Sequence, residues 1–179
     1  QICISCINDI ALEHDIFVNI IPANNDFIIT ITDPHSHVYE QNYTFYLKKN
    51  VKWHDGTSFT ADDVLYTLAV LQSPDYSEAM KPIWDGVTIE KKDAYTVIYH
   101  LAKPFPLFLD NATVGILQAK SWANIEVKDF TKSTLNINAI GTGPYKIDTV
   151  NRDSKENKIT SIKFKGSNFF AGGSPYIEN

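Results

Sequence analysis

The chain has 179 residues, of which 44% are hydrophobic and 21% are charged, so it is long enough to pack one domain or one lobe of a larger protein. Its formal net charge of −5 disfavours nucleic acid as a partner, because binding to nucleic acid requires clustered Lys and Arg. No apolar run approaches the roughly 20 residues of a membrane-spanning helix, and residues 1–10 lack the pattern of a signal peptide.

The first segment, Gln1–Ile10, is compatible with a strand or a short helix and contains the only two cysteines, Cys3 and Cys6. A CxxC pair can be a redox motif or half of a zinc site. In a strand, however, these two side chains would face opposite sides of the sheet. A zinc site would also need two further ligands, and His14 stands alone. We therefore expect two ordinary thiols, buried or half-buried.

Two strands are predicted next, at Phe27–Thr32 and Asn42–Leu47. The first is rich in β-branched residues, and the second alternates aromatic and aliphatic side chains with polar ones, as a half-buried strand does. The connecting segment, Asp33–Gln41, is rich in turn-forming residues. The sequence therefore predicts that the two strands form an antiparallel hairpin.

A helix is predicted over Ala61–Gln72, where apolar residues recur at helical spacing. Thr60 is a favourable N-cap, and Asp63 follows three residues later in an arrangement close to a capping box. Asp62 and Asp63 are not expected to form a catalytic or metal-binding pair, because adjacent helical side chains point about 100° apart. Their expected role is to cap the helix and to interact with its dipole.

The rest of the chain predicts more strands than helices. Val87–Glu90 and Thr96–Leu101 are predicted strands joined by a polar turn at Lys91–Ala94. The later segments, in chain order, are a short helix from Leu107–Asp110, an apolar strand-like run at Gly115–Ala119, a loop-rich region at Ser121–Asn138, and strands at Tyr145–Val150 and Lys158–Lys165. The predicted fold class is α+β, with a mostly antiparallel sheet and few helices.

Three sequence blocks stand out along the chain. The first is YTFYLKKNVKWHDGTSFTADDVLYT at Tyr43–Thr67, the second is the paired-strand segment Val87–Leu109, and the third is GTGPYK at Gly141–Lys146. In the same order, these blocks resemble those of the bacterial family 5 extracellular solute-binding proteins. The final SNFFAGGSPYIEN also resembles the family pattern, with Phe170 where the family has Trp. The resemblance implies part of a lobe of the periplasmic-binding-protein type (type II, cluster C).

The resemblance also implies a function. Members of the family are substrate-binding components of ABC importers, many for oligopeptides or dipeptides, and deliver solute to a membrane permease. We therefore expect an extracytoplasmic, monomeric binding protein, periplasmic or anchored as a lipoprotein, without enzymatic activity, cofactor or metal. Residues 1–140 would form the small β-rich subdomain of the first lobe with its leading segment. Residues 141–179 would return into the main lobe, and the second lobe would be absent.

The candidate ligand-binding residues are Trp84, Gly141, Thr142, Gly143 and Tyr145. The glycine-rich stretch is not expected to bind phosphate, because it lacks both the GxGxxG and the GxxxxGK pattern. From the residues alone it is a chain reversal, and core packing is the usual fate of such aromatic side chains. The family resemblance implies that the loop lies near the ligand cleft.

The sequence Trp53-His54-Asp55-Gly56 suggests acid–base or metal chemistry at first sight. No nucleophile or second ligand stands near it, so we expect a turn at Asp55-Gly56, Trp53 packed beneath it, and His54 as a hydrogen-bonded loop residue. The alternative function is a protein-interaction module that docks on the permease or another partner and binds no solute. An exposed sheet edge or apolar patch would favour that alternative.

Overall fold

A computed structural model describes most of the chain after residue 16, with side chains described from residue 41 onward. The described residues are 17–23, 26–32, 41–77, 79–105, 107–153, 155 and 158–173. The predictions for Gln1–Ile10, including Cys3 and Cys6, lie outside this part of the chain.

Five of the described strands form one antiparallel sheet. They are β1 (Phe17–Ala23), β2 (Asp26–Thr32), β3 (Asn42–Leu47), β4 (Val87–Asp93) and β5 (Thr96–Leu101), in the spatial order β1-β2-β3-β5-β4. The predicted antiparallel pairing of β2 with β3 is confirmed. The α+β class with antiparallel sheets and few helices is also confirmed.

One face of the central strands builds the core. Tyr43, Phe45 and Leu47 are buried in β3, while the side chains between them are more exposed, as the alternation in the sequence predicts. Phe45 lies opposite Val97 of β5 in the register, and Val97 is completely buried. Burying each large apolar side chain of this kind contributes roughly 1.5–3 kcal/mol to folding.

The helix α1 (Ala61–Leu71) packs on this sheet and confirms the strongest helical pattern in the sequence. The Asp63 carboxylate accepts the backbone N–H of Thr60 at 3.0 Å, which ties the start of the helix. Asp62 and Asp63 diverge as expected: Asp62 is exposed and contacts Lys91, whereas Asp63 is buried. The two carboxylates therefore serve different parts of the fold.

An aromatic cluster completes the core between the sheet and two short helices, α2 (Lys81–Trp84) and α3 (Phe108–Asn111). The Trp84 ring lies edge-on to Phe108, with their centroids 6.0 Å apart, and Phe108 also packs 5.4 Å from Tyr99. Such tilted and edge-to-face pairs add to the stabilisation that burial alone provides.

Two local predictions are wrong. The turn predicted at Lys91–Ala94 starts later, because β4 continues to Asp93 through a register irregularity and the Asp93 carboxylate accepts the Tyr95 N–H at 2.7 Å. The strand predicted at Gly115–Ala119 does not form. This segment is an extended loop leading into the short helix α4 (Ala119–Trp122), and side chains of α1 bind its backbone.

The loop-rich prediction for Ser121–Asn138 holds only in part, since this region also contains two 3-10 helices, Val127–Lys132 and Thr134–Asn136. The strands predicted after it are confirmed as β6 (Tyr145–Arg152) and β7 (Ile159–Gly166), which form a separate two-stranded antiparallel ribbon. The division of the chain at residues 140 and 141 stays a prediction.

Candidate functional site

The first sequence block forms a tight turn between β3 and α1. The Gly56 N–H donates to the Trp53 carbonyl at 2.8 Å, and Gly56 has a φ of 83°, in the left-handed region that favours glycine. Asp55 accepts the backbone N–H and the hydroxyl of Thr57 at 3.0 and 2.6 Å. Burial raises the pKa of the Asp55 carboxyl, but the hydrogen bonds from Thr57 and Gln118 and the charge of Lys120 together outweigh burial and hold this pKa below its usual value. The turn predicted at Asp55-Gly56 is confirmed.

His54 connects this turn to the glycine-rich loop, Gly141–Tyr145. The backbone N–H of His54 donates to the Gly141 carbonyl at 2.8 Å, and the Gly141 N–H donates back to His54 Nδ1 at 3.1 Å. His54 Nε2 lies 2.9 Å from the Gly143 carbonyl oxygen, which can only accept a hydrogen bond. The prediction of a hydrogen-bonded loop histidine is confirmed, and its partner is a loop almost 90 residues later in the sequence.

These contacts define the protonation state of the His54 ring. Because Nδ1 accepts the Gly141 N–H and Nε2 faces a carbonyl oxygen, this geometry matches the neutral Nε2–H tautomer of the ring. Burial lowers the pKa of His54 below its usual value, and the charge of Lys146 acts in the same direction. The Gly143 carbonyl and Asp55 favour the protonated ring, but their effect is outweighed.

Asp63 holds three parts of the fold together. One carboxylate oxygen accepts the indole N–H of Trp53 at 3.2 Å and the backbone N–H of Thr60 at 3.0 Å. The other accepts the backbone N–H of Ala119 at 2.9 Å. Buried carboxylates are stable only when such donors surround them, so Asp63 positions both the Trp53 ring and the segment before α4.

Two further polar side chains attach the segment before α4 to the first block. The Leu117 N–H donates to the Thr67 hydroxyl at 2.9 Å, and that hydroxyl donates to the Asp63 carbonyl at 2.7 Å. The buried Gln118 side chain donates to the Thr57 hydroxyl at 2.9 Å. Hydrogen bonds from the first block, Tyr43–Thr67, therefore anchor two segments that are distant in the sequence, residues 117–119 and 141–143.

The structure separates the predicted site residues into two places. Gly141, Thr142, Gly143 and Tyr145 lie together beside His54, with Thr142 buried and the other three half-buried. The carbonyl of Pro144, which lies between Gly143 and Tyr145, accepts the backbone N–H of Ser167, the residue that follows β7. This hydrogen bond also holds the second half of the loop. Contact of these residues with a ligand stays a prediction.

Trp84 lies in the aromatic core instead. Its side chain is 1% exposed, and its ring contacts those of Tyr99 and Phe108. Its indole N–H is the one fully buried side-chain donor of the described residues that has no hydrogen-bond partner. A buried donor without a partner is uncommon, so this tryptophan combines core packing with an unused polar group.

The surface of the described residues includes a cleft on each of two sides of the core. One, of about 400 Å³, lies beside the aromatic core and is bordered by Gly86, Leu101 and Phe105. The other, of about 500 Å³, lies between α1 and residues 123–127. Within the same part of the chain, no three His, Cys, Asp or Glu side chains gather as a metal site would require. None of the described helices has the length and apolarity to cross a membrane.

Residues 39–178 match the family described as bacterial extracellular solute-binding proteins, family 5 middle. The chain belongs to this family. The three family blocks described above all lie within the matched residues, so the identification from the sequence is confirmed.

Two curated relatives of this family 5 protein are similar over about three quarters of the chain. The oligopeptide-binding protein AppA of Bacillus subtilis is 31% identical over 140 residues, which are 76% of this chain and 25% of AppA. The dipeptide-binding protein of Escherichia coli is 29% identical over an alignment of 158 residues, and the match covers 77% of this chain and 28% of that protein. The chain thus spans about a quarter of the length of these relatives.

The fold is also similar to that of a solved structure. The structure of Bacillus subtilis AppA in complex with a nonapeptide superposes with a TM-score of 0.67 and 25% identity, over 92% of this chain and 33% of AppA. This confirms that the family 5 chain has the fold of part of a solute-binding protein.

Proposed function

We propose that this chain is part of the substrate-binding component of an ABC importer for oligopeptides or dipeptides. The observation that carries the proposal is the family match over residues 39–178, together with similarity to relatives that bind oligopeptides and dipeptides. In this proposal the whole protein is extracytoplasmic, periplasmic or anchored as a lipoprotein. It is monomeric, has no enzymatic activity, and delivers its solute to a membrane permease.

The geometry supports a binding role for the Gly141–Tyr145 loop. Three hydrogen bonds to His54 hold the first part of the loop, so its backbone is kept in a fixed arrangement. Peptide ligands need such fixed donors and acceptors for their own backbone, with permissive pockets for their side chains. Residues 1–140 form the small subdomain in this proposal, and residues 141–179 lead into the main lobe.

The 179-residue chain alone should bind peptide weakly. A clamp of this class closes two lobes around its ligand, and this chain covers only about a quarter of its relatives. One wall of a cleft buries too little ligand surface to offset the entropy lost on association. Submicromolar binding of a peptide by this chain alone would contradict the proposed division of the site.

The test is a thermal-shift and calorimetric screen of the full-length protein against defined peptides, a nickel chelate and an oligosaccharide. Saturable binding of di- or oligopeptides supports the proposal. Binding of only one of the other two ligands would reassign the solute class. A protein that binds none of the three would contradict a solute-binding role.

A second candidate function is docking to a protein partner without solute binding. It is favoured by the apolar face of the β6–β7 ribbon, where Ile162 and Phe164 are 41% and 52% exposed and lie opposite Val150 and Ile147. Apolar sheet faces of this kind usually meet another surface. Co-purification of the full-length protein with its permease, lost on Phe164→Lys, together with no binding of any peptide by the unaltered protein, would support this second function.

A further inference from the structure

The two ring nitrogens of His54 contact the same loop, one as a hydrogen-bond acceptor and the other as a donor. Nδ1 accepts the Gly141 N–H at 3.1 Å, while Nε2 faces the Gly143 carbonyl oxygen at 2.9 Å. Only one protonation state satisfies both contacts, because a protonated Nδ1 would place its hydrogen against the Gly141 N–H. The ring and the loop are also close in space, since a Cβ added at Gly141 would meet His54 Cε1 at 3.4 Å.

The groups that face the ring do not stabilise a second proton strongly. Burial opposes it most, and Lys146, at the start of β6, opposes it as well, whereas the Gly143 carbonyl and Asp55, in the adjacent turn, favour it. The Asp55 carboxylate is already engaged by Thr57 and lies 3.6 Å from the Lys120 ammonium, which reduces its effect on the ring. The protonated ring would therefore give up one hydrogen bond to the loop without gaining a strong new partner.

We propose that His54 is a pH-operated clasp: the neutral ring holds the Gly141–Gly143 loop, and protonation at Nδ1 breaks the hydrogen bond from the Gly141 N–H and so loosens the loop. The loosened element is the connection between the five-stranded sheet and the β6–β7 ribbon, which starts at Tyr145. Acidification would thus loosen this one connection and leave the aromatic core in place. His54 is a positioning residue here, because it acts through the loop.

This clasp predicts the direction of a pH effect on the site. His54 remains neutral in the folded chain at pH values where an unfolded histidine, with a pKa of about 6.5, begins to be protonated. The stabilisation from the clasp is complete above about pH 6.5 and is lost as the pH falls below that value. A second expectation rests on the proposed function. Peptide affinity should fall by about 2- to 10-fold when His54 is protonated, which is the range expected when one hydrogen bond is broken.

The experiment is a nuclear magnetic resonance titration of the chain from about pH 8 to about pH 5, across the histidine range. Two-bond proton–nitrogen correlations give the His54 tautomer, and the Gly141 and Gly143 amide signals report on the loop. We expect the Nε2–H tautomer at neutral pH, and loop signals that move with the protonation of His54. An Nδ1–H tautomer, or loop signals that do not follow His54, would overturn the proposal without the need for any variant.

Three variants sharpen the test. His54→Gln and His54→Asn cannot titrate. The glutamine amide approximates the Nε2 donor, and the asparagine amide approximates the Nδ1 acceptor. The loop signals of both variants should therefore not change with pH in this range. His100→Gln, which removes a partly exposed histidine on β5, should titrate like the wild type. Unchanged pH dependence of the loop in His54→Gln would contradict the clasp.

A peptide-binding arm with the full-length protein separates the two proposals. If affinity falls on acidification in the wild type and stays constant in His54→Gln, both the clasp and its role at the site are supported. If the protein binds no peptide while the loop signals still follow His54, the proposed function fails and the clasp stands. If peptide binds with the same affinity at both pH values, the role of the clasp in binding is wrong.

Discussion

Replacing Asp63 by Asn tests whether one buried carboxylate holds the first block together. Asp63 is 6% exposed and accepts three hydrogen bonds, two on one oxygen and one on the other. Asparagine keeps the shape of the side chain but has only one acceptor oxygen, so its amide group must face at least one N–H donor. Depending on the orientation of the amide, the substitution breaks either the hydrogen bond from Ala119 or those from Trp53 and Thr60.

The magnitude follows from the number of hydrogen bonds that the substitution breaks. A hydrogen bond to a charged group contributes about 1.5–3 kcal/mol, and a buried donor left without a partner lowers stability as well. Breaking one or two of these hydrogen bonds should therefore lower the free energy of unfolding by about 2–5 kcal/mol. Domains of this size are stable by only about 5–15 kcal/mol, so the effect should be large.

The adjacent residue provides the matched control. Asp62 is 65% exposed, and its ion pair with Lys91 is a surface contact, so Asp62→Asn should cost at most about 1 kcal/mol. Urea unfolding of the wild type and both variants gives the midpoints and the slopes that the comparison needs. Equal losses of stability in Asp62→Asn and Asp63→Asn would refute the assignment of Asp63 as the central acceptor.

Two further pairs of variants are predicted to differ. Trp53→Phe should lower the free energy of unfolding by about 1.5–3 kcal/mol more than Trp84→Phe does. The reason is that the Trp53 N–H donates to a carboxylate, whereas the Trp84 N–H is buried without a partner. Equal midpoints in urea would contradict this prediction. Gly56→Ala should destabilise more than Gly173→Ala, although both have positive φ, because the new methyl group would lie 2.9 Å from the Phe169 ring only at Gly56. Backbone strain at either position costs roughly 1–2 kcal/mol, so a thermal melt in which the two glycine variants shift equally would show that the ring moves aside freely.

Local patterns in the sequence predicted the elements that local interactions specify. The helix α1 has its capping residues and apolar positions within one short segment, and β3 and β5 show the alternation that half-buried strands require. The strand β1 was not predicted, since Pro22 interrupts its apolar run. Because β1 is an edge strand of the described sheet, its proline removes no hydrogen bond from a central position.

The apolar run Gly115–Ala119 shows the opposite error. Its composition favours a strand, but its backbone donors pair with side chains of α1 rather than with another strand. No local signal in the sequence reveals such partners, because they depend on how distant segments pack. Secondary structure that is replaced by side-chain contacts of this kind is therefore difficult to predict from periodicity.

The sequence predicted only part of the candidate site, because contacts between distant segments leave no local signal. The loop at Gly141–Tyr145 is recognisable as a block, and His54 as a loop residue, but the pairing between them spans 87 residues and leaves no periodic trace. A tryptophan such as Trp84 can stack on a ligand or pack in a core, and the sequence does not distinguish these roles. In the structure, Trp84 is buried in the core. The first block identifies the family, and in the structure it serves mainly as a scaffold.

The most direct test of the proposed function is isothermal titration calorimetry of the full-length protein with defined di- and oligopeptides at neutral pH. The account predicts saturable binding of at least one peptide class with a stoichiometry near one. It also predicts that the same titration with the 179-residue chain shows no submicromolar binding. A full-length protein that releases no binding heat and gains no thermal stability with any of these peptides would contradict the account.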